Sequence, residues 1–550
     1  MADVMEQNLL QTAVLNRTSF HFQPQRNWLN DPNAPMYYKG FYHLFYQNNP
    51  LAPEFSRTRI IWGHSVSQDM VNWIQLEPAL VPSESFDINS CWSGSATILP
   101  DGRPVILYTG LDVNNKQQVT VVAEPKDVSD PLLREWLKPK YNPVMVPPSN
   151  VPFNCFRDPT EAWKGQDGKW RVLIGAKEKD TEKGMAILYG SDDFVQWTKY
   201  PVPLLESEGT GMWECPDFFP VSITGKEGVD TSVNNASVRH VLKASFGGND
   251  CYVIGKYSSE TEDFSADYEF TNTSADLRYD HGTFYASKAF FDSVKNRRIN
   301  WGWVIETDSK EDDFKKGWAG LMTLPREIWL DTSGKKLMQW PIEEINNLRT
   351  KSVSLDDCYE FKTGSTFEIS GITAAQADVE VTFNLPFLED NPEILDADQV
   401  DDATLFDRDS SVGCVYGPFG LLALASSDLS EQTAIFFKVI RRGNGYAVVM
   451  CSSEKRSSLR DNIKKSSHGA FLDIDTRHEK ISLRCLIDHS IIESYGVGGK
   501  TVITSRVYPK LAIGEAAKLY VFNDGENGVI MTSLEAWSMR NAQINSNPTY

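Results

Sequence analysis

The chain has 550 residues, too many to share one hydrophobic core, so it reads as two domains. Its 41% hydrophobic and 11% aromatic residues are ordinary for a globular protein, and a net charge of −20 argues against nucleic acid as a partner. No apolar run is long enough to cross a membrane as a helix.

The first twenty residues, Met1 to Phe20, carry Asp3 and Glu6 and no continuous apolar stretch, so they do not read as a signal peptide. Asn16, Asn235 and Asn272 begin Asn-x-Ser/Thr triplets, which matter only in a secreted chain. Trp28 then precedes Asn30-Asp31-Pro32-Asn33, the first of a series of short motifs. Trp92-Ser93-Gly94-Ser95 follows, then Phe156-Arg157-Asp158-Pro159, then Trp213-Glu214-Cys215-Pro216-Asp217. Between them lie β-rich runs at 41–46, 104–108, 170–174 and 240–243, and Asp101-Gly102 and Asp167-Gly168 read as hairpin turns. The motifs recur about every sixty residues, which suggests radial blades, and a fifth unit starts near Tyr279-Asp280-His281-Gly282, before Phe284-Tyr285-Ala286.

Pro341 to Leu348 is the best short helix and reads as the inter-domain link. Beyond it, 378–383 alternates apolar and polar while 434–439 is more continuously apolar, the pattern of a β-sandwich. The stretch from Glu389 to Asp407 is acidic and reads as a solvated loop. The expected class is therefore all-β: an N-terminal extension (1–18), a five-bladed β-propeller (19–336), a linker (337–353) and a C-terminal β-sandwich (354–550).

The eight cysteines contain no CxxC pair, so no zinc site is expected, and Cys155 and Cys215 read as free thiols. A bridge between Cys414 and Cys451 is possible. Asp31, Asp158 and Glu214, each near an aromatic residue and a proline, are what acetal cleavage needs: acids beside flat apolar faces.

These motifs, with Ile487-Asp488-His489-Ser490-Ile491-Ile492-Glu493-Ser494 near the C-terminus, resemble glycoside hydrolase family 32, in particular the plant cell-wall invertase and fructan exohydrolase group. The likeness runs from His21-Phe22-Gln23-Pro24 to Ala536-Trp537-Ser538. It implies a propeller followed by a sandwich, with Asp31 as nucleophile, Glu214 as general acid/base and Asp158 as stabiliser of the transition state. Arg157 would help keep Asp158 ionised. Trp28 and Trp92 would wall the sugar pocket, and Asn30, Gln47 and Ser93 would bind fructose hydroxyls. No cofactor and no metal are implied. Glu493 and His489 look like an acid and base pair, but the family places them in the sandwich, so a structural role is expected.

The chain also departs from the family. Ala34 stands where the first motif usually ends in Gly, and Phe55 where sucrose-splitting members tend to carry Trp. Those members carry an Asp and a Lys after the His-Val-Leu-Lys strand, where this chain has the shorter Ser245-Phe246-Gly247-Gly248-Asn249-Asp250. Losing those partners should weaken binding of a glucosyl leaving group. The expected function is thus a retaining fructan exohydrolase that removes terminal β-D-fructofuranosyl units from β(2,6) and β(2,1) fructans. Invertase, fructosyltransferase and a silent sugar-binding protein are the alternatives. Fructan oligo- and polysaccharides are the expected partners of a monomer, with neither nucleic acid nor membrane. Pro216 follows the cell-wall pattern, so a secreted, apoplastic location is expected although no leader is visible.

Overall fold

The computed structural model describes residues 16–55, 60–114, 116–273, 275–355, 358–386, 402–410, 413–442, 445–475 and 479–545. Residues 19–341 form five antiparallel sheets in chain order, each begun by a motif-bearing strand. The strands Asn27–Tyr38, Ser90–Ile98, Phe156–Arg157, Glu214–Ser222 and Phe284–Asp292 open blades I to V. Trp318–Ala319, late in the domain, pairs in parallel with Asn27–Trp28 and so closes the ring onto blade I. Blade faces pack through apolar side chains, for example Phe45, Trp62, Ile106 and Tyr108 between blades I and II. Both proposed hairpin turns form, with Gly102 at φ 82° and Gly168 at φ 77°, where a Cβ would be strained.

The domain boundary needs correction. Leu337–Pro341 pairs with Arg326–Leu330 as the outer strand of blade V, and Arg349–Leu355 is already a sandwich strand. The linker expected over 337–353 is therefore a 3₁₀ turn, Glu343–Leu348, with its flanking residue Ile342. The second domain stacks a seven-stranded sheet on a six-stranded one. Val379, Val381 and Phe383 point into its core while Glu380 and Thr382 are half-exposed, which explains the alternation. Thr433–Arg442 is buried on both faces over most of its length because one side meets that core and the other is covered by Leu405 and Phe406. Of the acidic stretch 389–407, residues 389–401 lie outside the described residues, and Asp402–Leu405 is a helical turn rather than a loop.

No cysteine is disulfide-bonded, so the Cys414–Cys451 bridge does not form. Cys414 sits level with Ile440, whereas Cys451 sits level with Phe436 on the far side of that same strand. They are thus two strands and four residues apart, well beyond the 4.4–6.8 Å Cα separation of a disulfide. Asn16 is buried (3% exposed), unlike Asn235 and Asn272.

Candidate active site

Four of the five opening strands share one irregularity. Asn30-Asp31 stand together opposite Gln47, Ser93 is an extra residue between Trp92 and Gly94, Cys215-Pro216 share one partner, and so do Ala286-Ser287. Blade III is broken outright at Asp158, which lies at φ 65° between two short strands. Bulges re-aim side chains and end pairing. Here they turn Asp31, Ser93, Asp158, Glu214 and Tyr285 into one central pocket of about 540 Å³.

Asp31 accepts hydrogen bonds from Ser93 Oγ at 2.5 Å and Asn30 Nδ2 at 2.9 Å, and the Cys215 thiol lies 3.4 Å away. The same thiol is 3.6 Å from Asp158, so the two carboxylates face each other across it. Asp158 also accepts from the Cys215 backbone N–H at 2.8 Å. Glu214 is held from two sides, by Arg157 Nη2 at 2.5 Å and by the Tyr285 hydroxyl at 2.6 Å. Burial raises the Asp158 pKa to about 6; Arg157 opposes this, and the Asp31 charge adds to it. Burial likewise raises Asp31 above its ordinary value, against the Ser93 and Asn30 hydrogen bonds. Arg157 alone does not offset the burial of Asp158, contrary to the simple expectation.

The remaining expected residues also line the pocket. Trp28 Nε1 donates to Asn30 Oδ1 at 2.7 Å, and the Trp28 ring lies 6.2 Å from Phe55 and 5.7 Å from Trp303. Phe55, 41% exposed, forms the rim, 6.2 Å from Trp92, whose face carries Arg157. Gln47 Nε2 is tied to the Cys91 carbonyl at 3.3 Å. Sequence reasoning assigned no role to Tyr285, Trp303, Gln118 or Cys215. Tyr285 had a signal, since it opens the fifth unit as Glu214 opens the fourth. Gln118 did not: its Oε1 accepts from Phe156 N–H and Arg157 Nη1, a contact made only by folding.

Glu493 and His489 lie away from the pocket. Glu493 is at the domain junction, where it accepts from Arg326, His21, Tyr495 and the Leu324 N–H. A larger cleft of about 810 Å³ lies where Trp329 and Lys226 of the propeller meet Asp473 and Lys500 of the sandwich. Among the described residues, Glu306, Asp308 and Asp313 are spaced like cation ligands, but Lys316 Nζ already sits 2.6–3.4 Å from all three.

Clustered carboxylates in a sugar-sized, aromatic-walled pocket at the centre of a propeller define a glycoside hydrolase. The Glycosyl hydrolases family 32 N-terminal domain matches residues 21–341 and the family's C-terminal domain matches 344–538, so the chain belongs to glycosyl hydrolase family 32. It is 99% identical, over the full length of both, to an Arabidopsis thaliana protein named Beta-fructofuranosidase, insoluble isoenzyme CWINV6. It is 49% identical to a Fructan 6-exohydrolase of Beta vulgaris, over 96% of this chain and 88% of that one. The crystal structure of fructan 1-exohydrolase IIa from Cichorium intybus superposes with a TM-score of 0.93 at 54% identity, covering 96% of this chain and 98% of that one. A Glu-to-Gln variant of that chicory enzyme has been solved in complex with 1-kestose.

Proposed function

We propose that the protein is a retaining fructan exohydrolase, acting on terminal β-D-fructofuranosyl units linked β(2,6) or β(2,1). The observation that carries this is the union of Asp31, Asp158 and Glu214 in one pocket that also presents the apolar face of Phe55. A carboxylate oxygen of Asp31 attacks the anomeric carbon as the bond to the leaving oxygen breaks, and Glu214 protonates that oxygen. Water then attacks the same carbon and gives its proton to Glu214, and Asp31 departs, so two inversions restore the configuration. Asp158 accepts hydrogen bonds from ring hydroxyls that strengthen as positive charge develops.

The hairpin after residues 240–243 and the Phe55 ring support fructan over sucrose. Gly247 and Gly248, at φ 57° and 80°, make a two-residue hairpin between the paired residues Phe246 and Asn249. With two residues, the turn lacks the Asp and Lys that the resemblance implies for sucrose-splitting members. Asp250 is buried beneath it, facing Lys243. Phe55 gives the rim an apolar face without an indole N–H. The names of the Beta vulgaris and chicory relatives favour the same reading. Sucrose hydrolysis is the second reading, favoured by the name of the Arabidopsis relative. The insoluble type of that relative favours a cell-wall location, and a monomer suffices because the pocket is complete within one chain.

The test is a parallel assay on levan, inulin and sucrose, following fructose and glucose separately. The expected result is fructose from both fructans at least tenfold faster than glucose from sucrose. Equal, rapid glucose and fructose from sucrose would establish the invertase instead, and glucose in excess over fructose would reveal transfer to sugar acceptors.

A further inference from the structure

The bulges that aim Glu214 and Tyr285 leave backbone groups without ladder partners. Cys215 and Pro216 fall between the paired residues Glu214 and Asp217, and Ala286 and Ser287 fall between Tyr285 and Lys288. Cys215 and Ala286 are further twisted to φ 43° and 54°. Such buried donors and acceptors need partners, and non-glycine residues held at positive φ need constraint.

Two buried ion pairs supply both. Lys243 Nζ lies within 3.0 Å of four oxygens: the Cys215 and Ser287 carbonyls, Ser245 Oγ and Asp250 Oδ2. Asp250 in turn accepts from the Ala286 N–H at 3.0 Å and the Ser287 N–H at 2.7 Å. Lys288 Nζ bonds the Pro216 carbonyl at 3.0 Å and faces Asp217, which accepts from the Ala289 N–H at 2.7 Å. The ammonium groups bridge blade IV to blade V, beneath the residues that enter the pocket. None of the four side chains lines that pocket.

We infer that the Lys243–Asp250 and Lys288–Asp217 pairs are positioning residues, which lock the bulges of blades IV and V so that Glu214 stays aimed at the leaving group and the Cys215 N–H at Asp158. A plain core pair would stabilise the fold without favouring one catalytic step. This clamp acts selectively on proton delivery. The inference rests on Glu214 being the acid/base, as proposed above.

The experiment compares fructan with an aryl β-fructofuranoside whose phenolate leaves without protonation. The variants are Lys243→Met, the charge-balanced Lys243→Met/Asp250→Asn, and Glu214→Gln as reference. Replacing Lys243 alone strands a buried carboxylate and can prevent folding, so the double variant carries the test if it does. The inference expects kcat/KM on fructan, which reports the step that needs the acid, to fall at least tenfold more than kcat/KM on the aryl substrate. The acid limb of the pH profile should move upward as Asp158 loses its backbone donor. Equal losses on both substrates with an unmoved acid limb would overturn the positioning role, provided that Glu214→Gln shows the unequal loss. If Glu214→Gln also loses both equally, the acid/base assignment fails and the inference falls with it.

Discussion

Asp158 in the pocket and Glu493 at the domain junction are both buried carboxylates, 3% and 0% exposed, yet their pKa values lie about 6 and about 2. Burial pushes both upward. At Asp158 it prevails, since Arg157 is shared with Glu214 and Asp31 adds a like charge. At Glu493 it is outweighed by Arg326, bonded at 2.6 and 3.0 Å, and by His21. Asp488 is lowered in the same way: burial is overcome by His21 and by backbone donors from Ser19, Phe20 and His21. At the junction, partners outweigh burial for Glu493 and Asp488 and add stability, while in the pocket burial outweighs the partners of Asp158 and Asp31 and keeps them poised to take up protons.

The comparison breaks if pocket acids prove structural or junction acids prove catalytic. The largest expected effect is on activity: Asp31→Asn should lower kcat about 10⁴-fold or more, with the thermal midpoint held or raised. Initial rates and calorimetry on the same sample check this. Next, Glu493→Gln should destabilise by about 3–5 kcal/mol, because Arg326 and His21 lose their shared counter-charge, while kcat per folded molecule stays within about twofold. Denaturant titration reads the first and active-site-normalised rates the second.

Asp158→Asn sharpens the contrast. A carboxyl raised from 3.8 to about 6 binds its proton more tightly when folded, so its ionisation costs stability as pH rises from about 4 to 6. Relief of that cost is worth up to roughly 3 kcal/mol at pH 7. The variant should therefore be more stable at pH 7, lose that advantage below about pH 4, and be nearly inactive. The unmodified protein should lose kcat/KM below about pH 6 as Asp158 takes up its proton. Glu493 has the opposite sign: its contribution is whole above 4.5 and is lost only as pH falls toward 2. The smallest effect is at the rim, where Phe55→Trp should raise sucrose hydrolysis a few-fold, about 1 kcal/mol, with levan hydrolysis little changed.

What could be read in advance followed the same division. Asp31, Asp158 and Glu214 stand out in sequence because each opens a blade beside an aromatic and a proline, and the structure brings all three into one pocket. The bulges at Asp31 and Glu214 are set by pairing with distant residues such as Gln47 and Ala244, so no local pattern announces them. Lys243 read only as the end of a strand, and Asp250 as the end of a shortened loop. Their pairing depends on a hairpin whose register only folding fixes. Asp280, just ahead of the strand that opens blade V, also receives Arg326 and Thr504 at the junction, contacts made only by folding. The linker is shorter than the sequence suggests because Leu337–Pro341 is a short edge strand, defined by its partner rather than by its own periodicity.

The most direct test of the account is to trap the covalent intermediate. Glu214→Ala, incubated with an aryl β-fructofuranoside, should accumulate one fructosyl ester, since departure of the phenolate needs no acid but attack by water still needs the base. Mass spectrometry of the digested protein should find the adduct on Asp31 alone. An unmodified Asp31 peptide after release of the phenolate, or an adduct on Asp158, would contradict it.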